Sequence, residues 1–376
     1  MSLPRLAMRP LALLALGLVG CGGGGSPSSP SPSPSAASLA ARVDSAVRPG
    51  VESGRWLGVV VGTFDRGQRA TFGYGRVSAG GPAPDATTLF EIGSITKTFT
   101  AAVLAAAVRE GLVALEQPAR ELLPPGTVLP TYRGQDFTLL QLADHTSGLP
   151  RLPDNLETTP GYEASDPYAH YDELALLQFL SRYQLPRAPG TKYEYSNLGV
   201  GLLGYLLAGR LGTTYEDAVR SRVASPLGLA DTRILLEPAQ FARVAPGHDD
   251  RGQPVPAWHL DVLAGAGALH STSADLLDYA AAVLGHGPQP VTADLAACLV
   301  PRFAGAGASG QVGLAWSLQP LGSTRYTAVQ HDGGTAGYSS YVGVVPERDV
   351  AVVVLSNTAG EVVTPGQQIL EWLAAR

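Results

Sequence analysis

Phe90-Glu91-Ile92-Gly93-Ser94-Ile95-Thr96-Lys97 is the stretch on which the reading of this 376-residue chain turns. An apolar run passes through a glycine to Ser94, and Lys97 follows three positions later. The only lysines among twenty-six Lys plus Arg are Lys97 and Lys192. Arginine keeps its proton in a protein, whereas a lysine withdrawn from water can give it up. The pair therefore has two readings: a nucleophile with its base, or a surface lysine on a helix. Phe99, Val103 and Ala106 recur at helical spacing and Gly111 offers a stop, so Ser94 falls in the first turn of a helix predicted over 94–110. Positions i and i+3 share a helix face, which brings hydroxyl and amine within reach without tertiary help. The helix start also favours an oxyanion at the backbone NH of Ser94.

Working outward, residues 38–51 read as a short helix. Residues 56–64 and 69–77 read as a strand pair joined through Asp65-Arg66-Gly67. Strand patterns return at 313–318, 326–331, 338–345 and 350–356, and 369–375 reads as a closing helix. Between them, 138–223 is mainly helical, broken by a Pro, Asp and Tyr-rich stretch at 150–171 of the kind that frames a site. Strands at both ends with helices between predict an α+β fold. Its antiparallel sheet is formed by both chain ends and flanked by helices, and an all-helical subdomain at about 112–310 is inserted between the sheet halves. The cleft is expected where the two meet.

With 45% hydrophobic and 15% charged residues, the chain can bury one large core or two packed ones. A net charge of −6 with no basic run argues against nucleic acid and against electrostatic docking to acidic lipid; a small neutral or cationic ligand fits better. Arg5 and Arg9 precede or flank the apolar run 11–19, which is too short to span a bilayer, so residues 1–20 read as a secretory signal. The sequence Leu18-Val19-Gly20-Cys21 resembles a bacterial lipobox with Cys21 as the lipidated residue, and the Gly, Ser and Pro tract 21–37 reads as a tether. The remainder, 38–376, is expected to be a bacterial lipoprotein domain, anchored only through lipid and facing the periplasm or the cell exterior. Cys298 is then a buried thiol without a partner.

His170, His248, His259, His270 and His286 show no paired ligand spacing, so no metal and no cofactor is expected. Gly199-Val200-Gly201-Leu202-Leu203-Gly204 matches a dinucleotide fingerprint, but the polar segment before it is not a buried strand. Helix packing by small residues is the better account. There is no Gly-x-Ser-x-Gly.

Two further motifs bear on Ser94. Tyr195-Ser196-Asn197 follows the turn Arg187-Ala188-Pro189-Gly190, and Gln330-His331-Asp332-Gly333-Gly334-Thr335 ends a predicted strand. The chain order Ser-x-x-Lys, Tyr-x-Asn, His-x-Gly resembles that of the penicillin-recognising serine hydrolases: class C β-lactamases, DD-peptidases and related esterases. The resemblance runs from about residue 38 to the end and includes 88–93, 139–149 and 337–342. It implies a β-lactamase/transpeptidase-like fold in which Ser94 forms the acyl-enzyme and Lys97 and Tyr195 share its proton transfers. It further implies that Asn197 orients the substrate amide and that the strand carrying His331, Asp332 and Gly333 docks the substrate. The oxyanion would lie at the backbone NH groups of Ser94 and Gly334, and His145 is implied to be scaffold.

The chain departs from the class C pattern at Thr96, where Ser or Ala is usual, and at His331-Asp332-Gly333, where Lys-Thr-Gly is usual. An ionised Asp332 facing the cleft would repel a substrate carboxylate unless it points away or pairs with a protonated His331. The resulting expectation is an exported DD-carboxypeptidase/endopeptidase-like enzyme acting on D-Ala peptides of peptidoglycan and acylated by β-lactams. The other readings are a class C-like β-lactamase, a carboxylesterase, and a non-catalytic penicillin- or cell-wall-binding lipoprotein.

Overall fold

The computed structural model describes residues 34–306 and 310–376; the signal, Cys21 and most of the tether lie outside them. The first helix, α1, spans Pro34–Glu52, and residues Ala40–Arg376 form one compact unit.

The central sheet takes its strands from both ends of that unit. Strands β1 (Gly58–Asp65) and β2 (Gln68–Gly75) form a hairpin whose first strand pairs antiparallel with the C-terminal strand, Val59 opposite Ser356 and Asp65 opposite Val350. Two short strands, β3 (Phe90–Glu91) and β4 (His270–Ser271), pair separately. The other half of the sheet comprises β5 (Phe303–Ala306), β6 (Gly310–Val312), β7 (Ser317–Pro320), β8 (Thr327–Gly334), β9 (Ser339–Val345) and β10 (Val350–Ser356). Among the described residues the order is β2-β1-β10-β9-β8-β7-β6-β5, antiparallel throughout.

β9 and β10 are buried along their whole length because helices cover both faces. A Cβ on Gly62 would strike Leu277, whereas one on Gly343 would strike Leu370. Gly62 lies across from Val353 and Val342, so the two glycines face opposite sides of the pleat. The remaining helices that matter here are α2 (Thr96–Arg109), α3 (Asn197–Leu211), α4 (Ser273–Val283) and α5 (Val363–Ala375). Leu277 belongs to α4 and Leu370 to α5, and both pack on the sheet.

Several boundaries differ from expectation. Ser94 is not in the helix but in a 3-10 turn, Gly93–Ile95, that precedes it. The closing helix starts at Val363 rather than 369. The pattern at 313–318 is mostly a hook: Ala315 is left-handed (φ 60°) and donates its NH to the Ala143 carbonyl at 2.8 Å, so pairing begins only at Ser317. β5 and β6 belong to the sheet although Phe303–Val312 is largely Gly and Ala and carries no strand pattern.

The glycines of α3 act in packing. A Cβ on Gly201 would sit 2.7 Å from Leu263, and one on Gly204 would sit 2.9 Å from the Gly265 Cα. Their absence lets the segment 263–266 press onto α3, and that segment reaches the centre of the site.

Candidate active site

The nucleophile turn and the end of β8 meet through two glycines, one on each element. Gly93 is left-handed (φ 49°), and a Cβ there would lie 2.7 Å from the Gly334 nitrogen. A Cβ on Gly333 would lie 2.1 Å from the Ile92 carbonyl oxygen and 2.9 Å from the Ser94 nitrogen. Ser340 Oγ donates to the same Ile92 carbonyl at 2.8 Å and ties β9 to the turn. The close approach brings Ser94 and Gly334 to one small notch, lined also by Gly93, Ala266 and Gly267. Two backbone NH groups on facing rigid elements are what a developing oxyanion requires.

Lys97 is fully buried, and its Nζ lies 2.8 Å from Ser94 Oγ. The amine also donates to the Ala266 carbonyl at 2.6 Å, a partner 169 residues away. Burial holds its pKa well below the ordinary 10.5, and the nearby Arg151 guanidinium pushes it further down, against a weaker opposite pull from Asp332. A neutral amine has a lone pair that can accept the Ser94 proton. Thr96, one of the departures noted above, accepts a hydrogen bond from the Leu269 NH at 3.2 Å and helps hold the segment that carries Ala266.

Tyr195 is half-buried beside both groups, its ring centroid 5.0 Å from Lys97 Nζ. Burial pushes its phenol well up, only partly offset by its hydrogen bond with Ser94. The same desolvation thus keeps both Lys97 and Tyr195 uncharged. With the phenol protonated, proton acceptance falls to Lys97, and Tyr195 is suited to relay or donate. His145 packs at 4.5 Å between ring centroids against Tyr195, and its Nδ1 accepts from the Ser196 NH at 3.1 Å. Burial keeps it neutral, so His145 is a prop for the Tyr195 loop.

Ser196, not Asn197, caps α3, accepting from the Gly199 NH at 2.8 Å. Asn197 is free to face the cleft: its Nδ2 donates to Tyr168 Oη at 3.3 Å, and its buried Oδ1 has no protein partner among the described residues. An acceptor left open in this way suits a substrate amide NH.

His331 is buried in β8, and burial depresses its pKa. Its Nδ1 contacts the backbone carbonyl of Asp332 at 2.6 Å, not the carboxylate. The Asp332 side chain is exposed and lines the cleft with Ser94, Tyr195, Asn197 and Gly333. Neither anticipated disposition of Asp332, turned from the cleft or paired with an imidazolium, is adopted.

The cleft, of about 540 Å³, also contains residues that the sequence did not single out: Arg151, Tyr168 and Trp258. The Arg151 guanidinium lies 4.9 Å from the Tyr195 ring centroid, and its backbone carbonyl accepts from the Asn197 NH at 3.0 Å. Tyr168 and Trp258 meet edge to face at 5.5 Å. Arg151 and Tyr168 belong to the 150–171 stretch, whose composition marked it as a frame without naming a residue. Glu91, just before the nucleophile turn, accepts from the Trp258 NH at 3.1 Å, and burial raises its pKa to about 7.

The beta-lactamase family profile matches residues 43–375. The chain belongs to the beta-lactamase family. Like its relatives in the beta-lactamase family, it is a serine hydrolase on an antiparallel sheet flanked by helices. It is 28% identical over 311 residues to the D-alanyl-D-alanine-carboxypeptidase/endopeptidase AmpH of Escherichia coli (strain K12), covering 79% of this chain and 78% of that one. It is 28% identical over 359 residues to a beta-lactamase of Pseudomonas fluorescens, covering 86% and 94%. Among solved structures, the D-alanine carboxypeptidase AmpC from Burkholderia cenocepacia superposes with a TM-score of 0.76 at 26% identity, covering 89% of this chain and 99% of that one.

Proposed function

We propose that this enzyme is a DD-carboxypeptidase/endopeptidase-like hydrolase of D-Ala peptides, working through a Ser94 acyl-enzyme that β-lactams also form. The observation that carries the chemistry is a neutral, buried Lys97 at 2.8 Å from Ser94 Oγ. In this reading Lys97 takes the Ser94 proton and Tyr195 passes it to the leaving amine. The Ser94 and Gly334 NH groups hold the oxyanion, and the open Oδ1 of Asn197 receives the substrate amide. Arg151 speaks for a peptide: as a cation in the same cleft it offsets the repulsion that Asp332 would exert on a terminal carboxylate. The named activity of the AmpH relative supports the same substrate class.

A second reading, β-lactam hydrolysis, is favoured by the beta-lactamase relative and disfavoured by His331 in place of lysine. Location is part of the proposal: export through residues 1–20, lipidation at Cys21 and a membrane-anchored position at the periplasmic or outer face, tested by palmitate incorporation into wild type and Cys21→Ser. Fluorescent penicillin should label the wild type and not Ser94→Ala; equal labelling of the variant refutes the nucleophile. Nitrocefin, a D-Ala-D-Ala peptide and p-nitrophenyl butyrate then rank the substrates. Arg151→Ala should raise KM for the peptide severalfold and leave that for the uncharged ester unchanged, and equal effects on both would refute carboxylate pairing.

A further inference from the structure

A second cavity, of about 200 Å³, adjoins the cleft at Tyr195, His331 and Asp332, which line both. It is smaller than the usual ligand pocket of about 300–1,000 Å³ and so fits one substituent of a larger substrate. Its wall takes Ser317 and Gln319 from β7, Gln330 from β8 and Tyr193 from the loop ahead of α3. Asp332 is the one charged group on that wall, because burial keeps the imidazoles of His145 and His331 neutral. Among the described residues no ion pair engages the Asp332 carboxylate. A carboxylate left open in this way, flanked by tyrosine rings and by the side-chain oxygens of Ser317 and Gln319, is the setting that an ammonium ion favours. The net charge of −6 draws the same class of ligand.

The proton path decides which part of the substrate reaches the cavity. The notch at Ser94 and Gly334 includes Asn197 but neither Tyr195 nor Asp332. Tyr195 passes the proton to the departing amine, so the departing residue lies on the Tyr195 side, beside Asp332. Arg151, in the same cleft, is left for that residue's carboxylate.

We infer that this cavity receives an ammonium-bearing side chain of the departing amino acid, so that Asp332 selects D-Ala peptides whose departing residue is basic. The inference rests on the D-Ala peptide reading above. Ser94 Oγ bonds the D-Ala carbonyl carbon as the bond to the departing nitrogen breaks, and the Ser94 proton leaves on that nitrogen. Water then releases the shortened peptide acid and restores the Ser94 hydroxyl. The side-chain ammonium keeps its charge throughout and serves binding alone.

The test is kcat/KM of the full chain on N-acetyl-D-Ala-D-Lys against N-acetyl-D-Ala-D-norleucine, which keeps the aliphatic chain and lacks the charge. Fluorescent penicillin labelling of Ser94 runs in parallel. The D-Lys peptide should be favoured about tenfold, the usual order for a hydrogen bond to a charged group. Asp332→Asn, at an exposed position, should bring the ratio near one. Gln319→Lys, which puts a cation on the half-buried cavity wall, should bring it below one. Equal turnover of the two peptides by the wild type, or a preference that survives either substitution, overturns the inference. If these peptides and the D-Ala-D-Ala peptide all go uncleaved while labelling persists, the D-Ala peptide reading fails instead, and the selecting role of Asp332 with it.

Discussion

Replacing Lys97 by methionine keeps the length of the side chain and removes its titratable amine, so it isolates the proton on which the chemistry depends. Lys97 is fully buried and its pKa lies well below 10.5 in the folded enzyme, while in the unfolded chain it returns to about 10.4. Between those two values the unfolded state binds one proton more than the folded state, so stability rises with pH. Below the folded pKa both states are protonated, and above the unfolded pKa neither is; in both regions the contribution is flat. Within the window the slope is about 1.4 kcal/mol per pH unit. Lys97→Met lacks this term, and subtracting its unfolding free energy from that of the wild type cancels every other titrating group. Urea unfolding at pH 8.0 and 9.5 should therefore show the wild type gaining about 2 kcal/mol on the variant over that interval. Acylation by a fluorescent penicillin should meanwhile slow by about 10²–10⁴-fold, the usual contribution of a general base. A stability difference independent of pH would mean that Lys97 remains charged in the fold, and it could not then be the base.

Three further outcomes follow from the same geometry. Gly333→Ala should cost at least about 2 kcal/mol and depress acylation, because its Cβ would meet the Ile92 carbonyl at 2.1 Å, a backbone atom that cannot swing aside; an unaltered thermal melt would contradict the close approach. Glu91, raised to about 7 from 4.5, makes the fold lose stability as pH rises between those values, by up to about 3 kcal/mol. Glu91→Gln should remove that loss, and an unchanged pH profile of urea midpoints would show that the carboxyl is not buried as described. Tyr195→Phe should lower kcat with little change in KM, since the phenol is placed to move a proton rather than to bind substrate, and a pure KM effect would count against that role.

Much of this was legible in the residues. Strand β10 begins and ends where its apolar run does, because a strand covered on both faces needs an unbroken run and its flanking turn residues stop it. The nearness of Ser94 and Lys97 was legible because three-residue spacing is local geometry, although the turn there proved to be 3-10 rather than α. The packing role of Gly201 and Gly204 was legible from the polar segment ahead of them. Strands β5 and β6 were not, since their Gly and Ala-rich stretch pairs only because β7 offers an edge. Arg151, Tyr168 and Trp258 carry no motif; their part in the cleft comes from long-range placement.

The sequence by itself determined the reacting groups and their order, because side-chain chemistry and helical spacing are properties of short segments. Only the tertiary structure decided their protonation and surroundings. Lys97 is neutral because distant segments exclude water from it and the Arg151 guanidinium lies nearby, and Asp332 stands exposed at the cleft next to the buried His331. Trp258 reaches the cleft because the segment carrying it is tied to Glu91. Desolvation and cavity shape depend on which distant residues exclude water from a point in space, and no local pattern records that.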